Sequence, residues 1–127
     1  MIIGIGTDII KTARFKVMGE HFMTRVFTPT ERAYLVNKSH ISAAGIFAAK
    51  EAVAKALGTG FRGFWPCQIE IIYDDMGKPD VVLHDEAARI AKKLVRGKRR
   101  FTRRYLIDIS ISHTDADAFA FAVISAT

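Results

Sequence analysis

The chain has little cysteine and proline, and it has no long uninterrupted apolar run. Its one cysteine, Cys67, excludes an intramolecular disulfide and indicates a reducing compartment. The longest apolar stretches, such as residues 116–122 with Asp117 inside, are too short to span a bilayer. Residues 1–6 lack the basic start of a signal peptide and favour a strand. We therefore expect a cytoplasmic protein without a membrane partner.

Acidic residues are absent from one segment, which explains the net charge. The formal charge is +6, from 19 basic and 13 acidic residues. Residues 96–104 contain no acid and account for the whole excess, with basic residues Arg96, Lys98, Arg99, Arg100, Arg103 and Arg104. A milder basic stretch between residues 11 and 25 is opposed only by Glu20. Such a field attracts phosphates, acidic proteins or nucleic acid, and charge alone does not choose among them.

Apolar content is high enough for a core, because half of the residues are hydrophobic. The length fits one domain, residues 1–127. The patterns predict the order β, α, α, α, β, β, α, β, β, which is an α+β class. The first strand, 2–10, and the last, 118–124, are apolar on both faces, so we expect both faces of each to be covered. For the last strand, a helix and another subunit would cover the two faces.

Local signals place the remaining elements. A helix is expected over 11–21. A second helix starts at Thr28, the expected cap of a capping box, with Pro29 in the first turn and Glu31 three residues after the cap. The clearest helix runs over 43–57. Ser42 is the expected cap of that third helix, and Gly58 its end. Strands follow over 68–73 and 81–83, then a helix over 85–95 and a strand over 105–112. The simplest architecture is a sheet of three to five strands packed on the 43–57 helix.

Three charged side chains stand in apolar surroundings. Asp8 follows a strand predicted to be buried, where a carboxylate must be paired, act as a helix cap or bind a metal. Glu51 and Lys55 are four residues apart, so they share one helix face, although apolar residues flank that face. The simpler explanation for Glu51 and Lys55 is an ordinary ion pair. Together, two carboxylates beside a lysine suit Mg²⁺ and a phosphate-bearing substrate.

Two further segments could take part in binding. His113 and Thr114 follow the strand 105–112, and strand-end loops often carry functional side chains. Gly58, Thr59 and Gly60 could hold a phosphate with their amides, although glycine after a helix usually only ends the helix. No zinc-type His/Cys spacing, nucleophile elbow or Walker loop is present.

Several motifs resemble those of holo-acyl-carrier-protein synthases, the short trimeric type in the 4'-phosphopantetheinyl transferase superfamily. The opening motif is Gly4-Ile5-Gly6-Thr7-Asp8-Ile9, and the central motif extends over residues 47–60. Residues 69–71, 77–79 and 110–114 then follow in the expected order. The resemblance covers nearly the whole chain, and its central block is highly specific.

The resemblance implies a fold, a reaction and a set of site residues. The fold is a compact α+β domain, a small antiparallel sheet on a long central helix, which assembles as a homotrimer with sites at subunit interfaces. The reaction transfers the 4'-phosphopantetheine group from coenzyme A to a serine of an acidic apo acyl carrier protein, with Mg²⁺, in fatty acid biosynthesis. The implied roles are Mg²⁺ ligation by Asp8 and Glu51, phosphate contact and catalysis by Lys55, nucleotide contact by Gly58, Thr59, Gly60, His113 and Thr114, and carrier contact by Arg14 and Arg25.

The chain departs from the family pattern at two places. Many relatives carry an arginine directly before the Phe-Ala-x-Lys-Glu run, and this chain has Ile46 there. One expected phosphate contact is therefore missing, and either another base takes over its role or coenzyme A binds more weakly. The basic stretch 96–104 is also outside the motifs. It is either a solvated loop or a source of phosphate or carrier contacts.

Two other functions remain open on the sequence. A small nucleic-acid-binding module would use the arginine-rich stretch with Phe101 and Tyr105 beside it, but would give no role to Asp8, Glu51 and Lys55. A catalytically silent homologue would keep the fold without magnesium-dependent turnover. The sequence also leaves open the natural carrier and the group that removes the serine proton, for which Lys55, a metal-bound water and a carboxylate are candidates.

Overall fold

The computed structural model describes residues 1–98 and 104–127 and contains the predicted order of elements. The strands are β1 (Ile2–Lys11), β2 (Ile69–Tyr73), β3 (Pro79–Leu83), β4 (Tyr105–His113) and β5 (Asp117–Ala126). The α-helices are α1 (Glu20–Val26), α2 (Pro29–Leu35), α3 (His40–Ala56) and α4 (Asp85–Lys98), with short 3₁₀ turns at Thr12–Phe15 and Pro66–Gln68. The α+β prediction is confirmed.

The strands form two antiparallel sheets rather than one. The main sheet has the order β1-β5-β4, and β2 pairs with β3 in a separate hairpin. In the main sheet Asp8 pairs with Ala120, and Ile111 pairs with the same residue from the other side. A hairpin joins β4 and β5, closed by a hydrogen bond from the Thr114 amide to the Asp117 carbonyl at 2.8 Å.

The sheet packs its inner face on α3, which is the predicted arrangement. Alternate residues of β5 are buried against the helix, namely Ala118, Ala120, Ala122, Ile124 and Ala126. Most of α3 is buried too, and its many alanines combine high helix propensity with a thin side chain. Small residues on both elements therefore let helix and sheet approach closely.

Glycines of β1 set the distance between β1 and α3. A Cβ at Gly4 would lie 2.1 Å from the Ala56 carbonyl oxygen, and one at Gly6 would lie 1.9 Å from the Ala52 carbonyl oxygen. The obstructing atoms are helix backbone, so neither contact can be relieved by a side-chain rotation. Both glycines belong to the opening motif, and their role is to bring β1 against the half of α3 that carries Glu51 and Lys55.

A fully buried ion pair connects α2, α3 and β2. Lys50 Nζ lies 2.6 Å from Glu31 Oε1, and both side chains are completely inaccessible. Glu31 also accepts from the Thr28 amide at 2.8 Å and the Ile71 amide at 2.7 Å, while Lys50 donates to the carbonyls of Pro66 and Ile69. Burial lowers the pKa of Lys50, and Glu31 acts in the opposite direction. Such a pair tolerates burial because its polar atoms are satisfied on both sides.

Several local predictions need correction. Residues 11–21 do not form a helix: a 3₁₀ turn at Thr12–Phe15 is followed by α1, which begins only at Glu20. Helix α3 begins three residues earlier than expected, because Ser39 and not Ser42 caps it, accepting from the Ile41 amide. The Thr28 capping box is confirmed. So is the end of α3 at Gly58, which has a φ of 85° that suits glycine.

The single chain leaves the outer face of the sheet uncovered: the expectation that β1 is buried on both faces is wrong within one chain, and the expected cover of β5 by another subunit stays a prediction. The outer face of the sheet exposes Ile5 and Ile9 of β1, 62% and 68% accessible, and Phe119 and Phe121 of β5. Leu106 of β4 is exposed as well. Side chains alternate between the two faces of a sheet, so a continuous apolar strand places apolar residues on both faces. Helix α3 covers only one of these faces.

Replacing Gly6 with alanine should destabilise the protein. The new methyl group would overlap the Ala52 carbonyl oxygen, and overpacking of this kind costs about 1–3 kcal/mol or more. We expect a clear drop in the thermal unfolding midpoint. Gly97→Ala is the matched control: apart from its own helix, a methyl group at Gly97 would meet no atom of the described residues within 4 Å, so a helical alanine there should leave the midpoint unchanged or raise it. Equal midpoints for Gly6→Ala and the wild type would contradict this packing argument.

Candidate active site

The structure brings Asp8, Glu51 and Lys55 together where β1 crosses α3. Lys55 Nζ lies 3.3 Å from Asp8 Oδ1 and donates to the Thr7 carbonyl at 2.9 Å. The Asp8 side chain is 16% accessible and that of Lys55 is 51% accessible. Asp8 lies inside β1 and does not cap a helix, because the turn that follows β1 is preceded by Lys11 and has no side-chain cap. The alternative explanation of Asp8 as a cap is therefore wrong.

Lys55 pairs with Asp8 rather than with Glu51. Among residues 1–98 and 104–127 no salt bridge joins Glu51 to Lys55, so the ordinary i,i+4 pair is not formed. Burial raises the pKa of Glu51, and the nearby Asp8 carboxylate raises it further, against the charges of Lys55 and Arg14. Two carboxylates close enough to repel each other form a site that a cation would stabilise.

The donor set fits a hard divalent cation that keeps several waters. Asp8 and Glu51 offer only carboxylate oxygens, the ligands that Mg²⁺ prefers, and one or two protein carboxylates are usual for that ion. Within the described residues, no group of three or more His, Cys, Asp or Glu side chains could hold a metal ion. A closed, all-protein metal cage is thus not formed by residues 1–98 and 104–127 of a single chain.

Arg14 lies near this site because aromatic rings hold its segment against α3. Phe15 packs on Phe47 with ring centroids 5.3 Å apart, and the Arg14 guanidinium stands 6.0 Å from the same Phe47 ring. Its charge acts on the pKa of Glu51. Arg25 lies at the end of α1 and stacks on Trp65 at 4.8 Å. Both arginines are exposed, so both remain available to an acidic partner.

His113 and Thr114 lie away from the carboxylates, at the far edge of the sheet. Asp8 is on β1 and His113 on β4, with β5 between them. His113 lines a cleft of about 420 Å³ together with Tyr34, Tyr73, Lys78 and Ser110. The Thr114 hydroxyl accepts from the amides of Ala116 and Asp117, which shapes the hairpin turn. One chain therefore contains two separate candidate regions.

The glycine loop has less free hydrogen-bonding capacity than its sequence suggests. The Gly58 amide donates to the Lys55 carbonyl at 2.9 Å, and the Gly60 amide donates to the Ala54 carbonyl at 3.1 Å. The Thr59 hydroxyl donates to the Gly60 carbonyl at 2.8 Å. These hydrogen bonds terminate α3, so the amides of Gly58 and Gly60 already donate within the chain before a ligand binds.

Ile46 occupies the position of the missing arginine, and it is completely buried in the core. Lys78 is a basic residue that lines the same cleft as His113. The sequence did not single out Lys78 as a binding residue. The stacked rings of Tyr34 and Tyr73, 4.4 Å apart, were also missed, because only the fold brings α2 against β2.

Comparison with known proteins agrees with the geometry. The family described as the 4'-phosphopantetheinyl transferase superfamily matches residues 4–120. The chain belongs to this superfamily. A holo-[acyl-carrier-protein] synthase of Clostridium perfringens is 44% identical over 129 residues, covering 98% of this chain and 94% of the relative. One from Clostridium botulinum is 44% identical, covering 98% of each chain.

A solved structure supports the superfamily fold over the full length. The holo-(acyl-carrier-protein) synthase of Bacillus anthracis, in complex with CoA (3',5'-ADP), superposes with a TM-score of 0.78 at 33% identity. The match covers 100% of this chain and 99% of that one. The predicted transferase fold is confirmed, and the carboxylates on β1 and α3 lie in the two motifs that identified it.

Removing the charge of Asp8 should lower the pKa of Glu51. In the metal-free protein burial raises that pKa, and Asp8 is the second cause. Glu51 is thus more basic folded than unfolded, so its protonation stabilises the fold. This contribution is complete below the ordinary glutamate pKa and is lost as pH rises through the raised value. We expect Asp8→Asn to move the Glu51 titration to lower pH, measured by carboxyl ¹³C NMR.

Asp75→Asn is the control for this titration, because Asp75 is exposed in the β2–β3 turn. It should leave the Glu51 midpoint unchanged. A Glu51 midpoint in the wild type at the value of an ordinary exposed glutamate would contradict the assigned surroundings of Glu51.

Proposed function

We propose that this chain transfers the 4'-phosphopantetheine group of coenzyme A to a serine of an apo acyl carrier protein and releases adenosine 3',5'-bisphosphate. The observation that carries the proposal is the convergence of Asp8, Glu51 and Lys55, supplied by the two motifs of a superfamily that matches residues 4–120. Relatives that match the chain over nearly their full length are holo-[acyl-carrier-protein] synthases.

The reaction needs charge stabilisation rather than a nucleophile from this chain. The serine oxygen of the carrier forms a bond to the phosphorus, and the bond from that phosphorus to the bridging oxygen of the diphosphate breaks. Negative charge accumulates on the departing bisphosphate, and cations next to a diphosphate are the usual means to stabilise it. The absence of a nucleophile motif from the sequence agrees with a nucleophile supplied by the partner.

Asp8 and Glu51 would hold Mg²⁺, and Lys55 would contact the diphosphate. When bound there, magnesium supplies a Lewis acid that polarises the diphosphate oxygens. Lys55 is half exposed, and its ammonium group is at the end of a flexible side chain, so this group can reach a ligand above the carboxylates. The Asp8 side chain is mostly buried, so its carboxylate has a defined position on β1.

The cleft at His113 is the proposed place for the nucleotide of coenzyme A. It offers the His113 imidazole, the Lys78 ammonium group and the Tyr34–Tyr73 stack, which suit phosphate and a flat base. Gly58, Thr59, Gly60 and Thr114 are proposed as further contacts. Because this cleft and the carboxylates belong to opposite edge strands, we propose that one coenzyme A molecule uses both regions from two neighbouring subunits.

A homotrimer would account for the uncovered outer face of the sheet. Ile5, Ile9, Phe119 and Phe121 form an apolar surface of the kind that marks an interface. This surface lies on β1 and β5, beside both candidate regions. Association through it would bury the exposed side chains and bring the β4 edge of one copy near the β1 edge of the next.

Arg14 and Arg25 are the proposed contacts for the carrier protein. Their exposed guanidinium groups would meet acidic side chains of the carrier, and this attraction should speed association and weaken with salt. The Arg25–Trp65 stack presents that charge in a fixed place. We place the reaction in the cytoplasm and in fatty acid biosynthesis. Among the described residues, no helix has the length and apolarity needed to cross a membrane.

The competing functions have less support. The nucleic-acid module depends on the basic stretch 96–104, of which residues 99–103 lie outside the described part of the chain. Whether that stretch is a solvated loop or a source of contacts stays a prediction. A silent homologue would not need the two carboxylates and the lysine assembled at one point.

Incubation of an apo acyl carrier protein with this chain, coenzyme A and Mg²⁺ should add one phosphopantetheine group to the carrier. Asp8→Ala and Glu51→Ala should each slow the transfer at least about 100-fold, because charge stabilisation at the diphosphate is lost. Intact-mass spectrometry measures the product directly. Glu86→Ala, which removes an exposed carboxylate on α4, should keep the wild-type rate. Transfer that persists with a chelator would contradict the metal assignment, and no transfer to several carriers would contradict the function.

The substitution Ile9→Asp should disrupt self-association. It places a charge in the apolar outer face of the sheet, where burial against another copy would leave that charge unpaired. Analytical ultracentrifugation should show a trimer for the wild type and a smaller species for the variant. Val17→Asp changes a 90% exposed residue outside this face and should leave the mass unchanged. A monomeric wild type would refute the proposed trimer.

A further inference from the structure

The Asp8 carboxylate, to which the proposed function assigns Mg²⁺, already has a cationic partner inside the chain. Lys55 Nζ stands 3.3 Å from Asp8 Oδ1, and the Thr7 carbonyl holds the same ammonium group at 2.9 Å. This arrangement places a positive charge against one of the two carboxylates to which the proposed function assigns Mg²⁺. The lysine and the metal would therefore draw on the same negative charge.

The charges around the site balance without a metal. Asp8 and Glu51 are the two carboxylates, and Lys55 and Arg14 are the two cations whose charges act on Glu51. A divalent cation added to this group would leave it with excess positive charge. At separations well below the Debye length, repulsion between the metal and the ammonium group is poorly screened.

From this geometry we infer that Lys55 is a counterion latch: it occupies Asp8 in the metal-free protein and makes tight metal binding depend on the arrival of a diphosphate. The inference rests on the proposed function, since it concerns the same carboxylates. A diphosphate supplies the negative charge that lets Lys55 leave Asp8 and contact the phosphate oxygens. Metal and coenzyme A then bind with positive coupling, which is reciprocal between the two ligands.

The side chain of Lys55 is suited to this exchange. It is 51% accessible, so its ammonium group can move without opening the core, whereas Lys50 is locked in the buried pair with Glu31. Lys55 is anchored through one carbonyl and one carboxylate oxygen, and both anchors are at the surface-facing end of the site. The exchange moves only the Lys55 side chain, so the close packing of β1 on α3 at Gly4 and Gly6 is kept.

Removal of the Lys55 charge should strengthen metal binding in the absence of coenzyme A. We expect K55M to bind Mn²⁺, used as a spectroscopic substitute for Mg²⁺, about fivefold or more tightly than the wild type. Electron paramagnetic resonance titration measures free Mn²⁺ directly and does not depend on turnover. K55R keeps the positive charge and should stay near the wild type. Circular dichroism and thermal unfolding verify that each variant is folded.

Lys11→Met is the matched control for a lost lysine charge. Lys11 is on the same strand as Asp8, but it pairs with Asp117 at 2.9 Å and is 73% accessible. Its replacement should change Mn²⁺ affinity less than about twofold, since exposed and screened charges couple weakly. A second series with coenzyme A present, and no carrier, should tighten Mn²⁺ binding more in the wild type than in K55M.

The outcomes separate the latch from the metal site itself. If K55M binds Mn²⁺ no more tightly than the wild type, while Asp8→Ala loses binding, the latch is refuted and the metal site stands. If neither the wild type nor K55M binds Mn²⁺, with or without coenzyme A, the metal assignment of the proposed function fails and the latch fails with it. Tighter binding by K55M and a smaller effect of coenzyme A on that variant support the latch.

Discussion

The contact between β1 and α3 is the constraint on which the other features of this molecule rest. Gly4 and Gly6 place the strand so near the helix backbone that any Cβ would overlap a carbonyl oxygen. This close contact puts Asp8 beside Lys55 and within electrostatic reach of Glu51. The motif glycines and the motif carboxylates are thus parts of one arrangement, because the glycines determine the distance between Asp8 on β1 and the charged residues of α3.

The buried pair of Lys50 and Glu31 holds the opposite side of α3. Its atoms connect α2, α3 and the start of β2, and every polar atom has a partner. Loss of one member would leave an unpaired buried charge, which costs about 3–5 kcal/mol in comparable cases. Neighbouring residues in the central motif therefore have different tasks, because Lys50 points into the core while Glu51 faces the site. A helix rotates by about 100° per residue, which separates the two directions.

The outer face of the sheet and the two separated regions of the site have a common explanation in the proposed trimer. Apolar side chains of β1 and β5 lack cover in the single chain, and the His113 cleft lies across the sheet from the carboxylates. Packing of copies through the outer face would cover these apolar side chains and would also bring the two regions from neighbouring copies together. The inner face, by contrast, is complete within one chain because α3 fills it.

Local sequence patterns were enough to identify the class, the order of the elements and the residues of the carboxylate site. Periodicity identified the strands and α3, the Thr28 box identified the start of α2, and the motifs identified Asp8, Glu51 and Lys55. These features depend on local spacing, which a sequence displays directly. Resemblance to one family added the reaction and the expected partners.

Which charged groups meet was decided by the tertiary fold alone. Spacing on the helix favoured a Glu51–Lys55 pair, but Lys55 turns to Asp8, 47 residues away in the chain. The Lys50–Glu31 pair and the Tyr34–Tyr73 stack have no local signature either. The caps at Ser39 and Ser42 are equally good by residue type, and the split into two sheets depends on which strands pair. The charged pairs, the aromatic stack and the pairing of the strands depend on contacts between residues far apart in the chain, and local sequence patterns do not display such contacts.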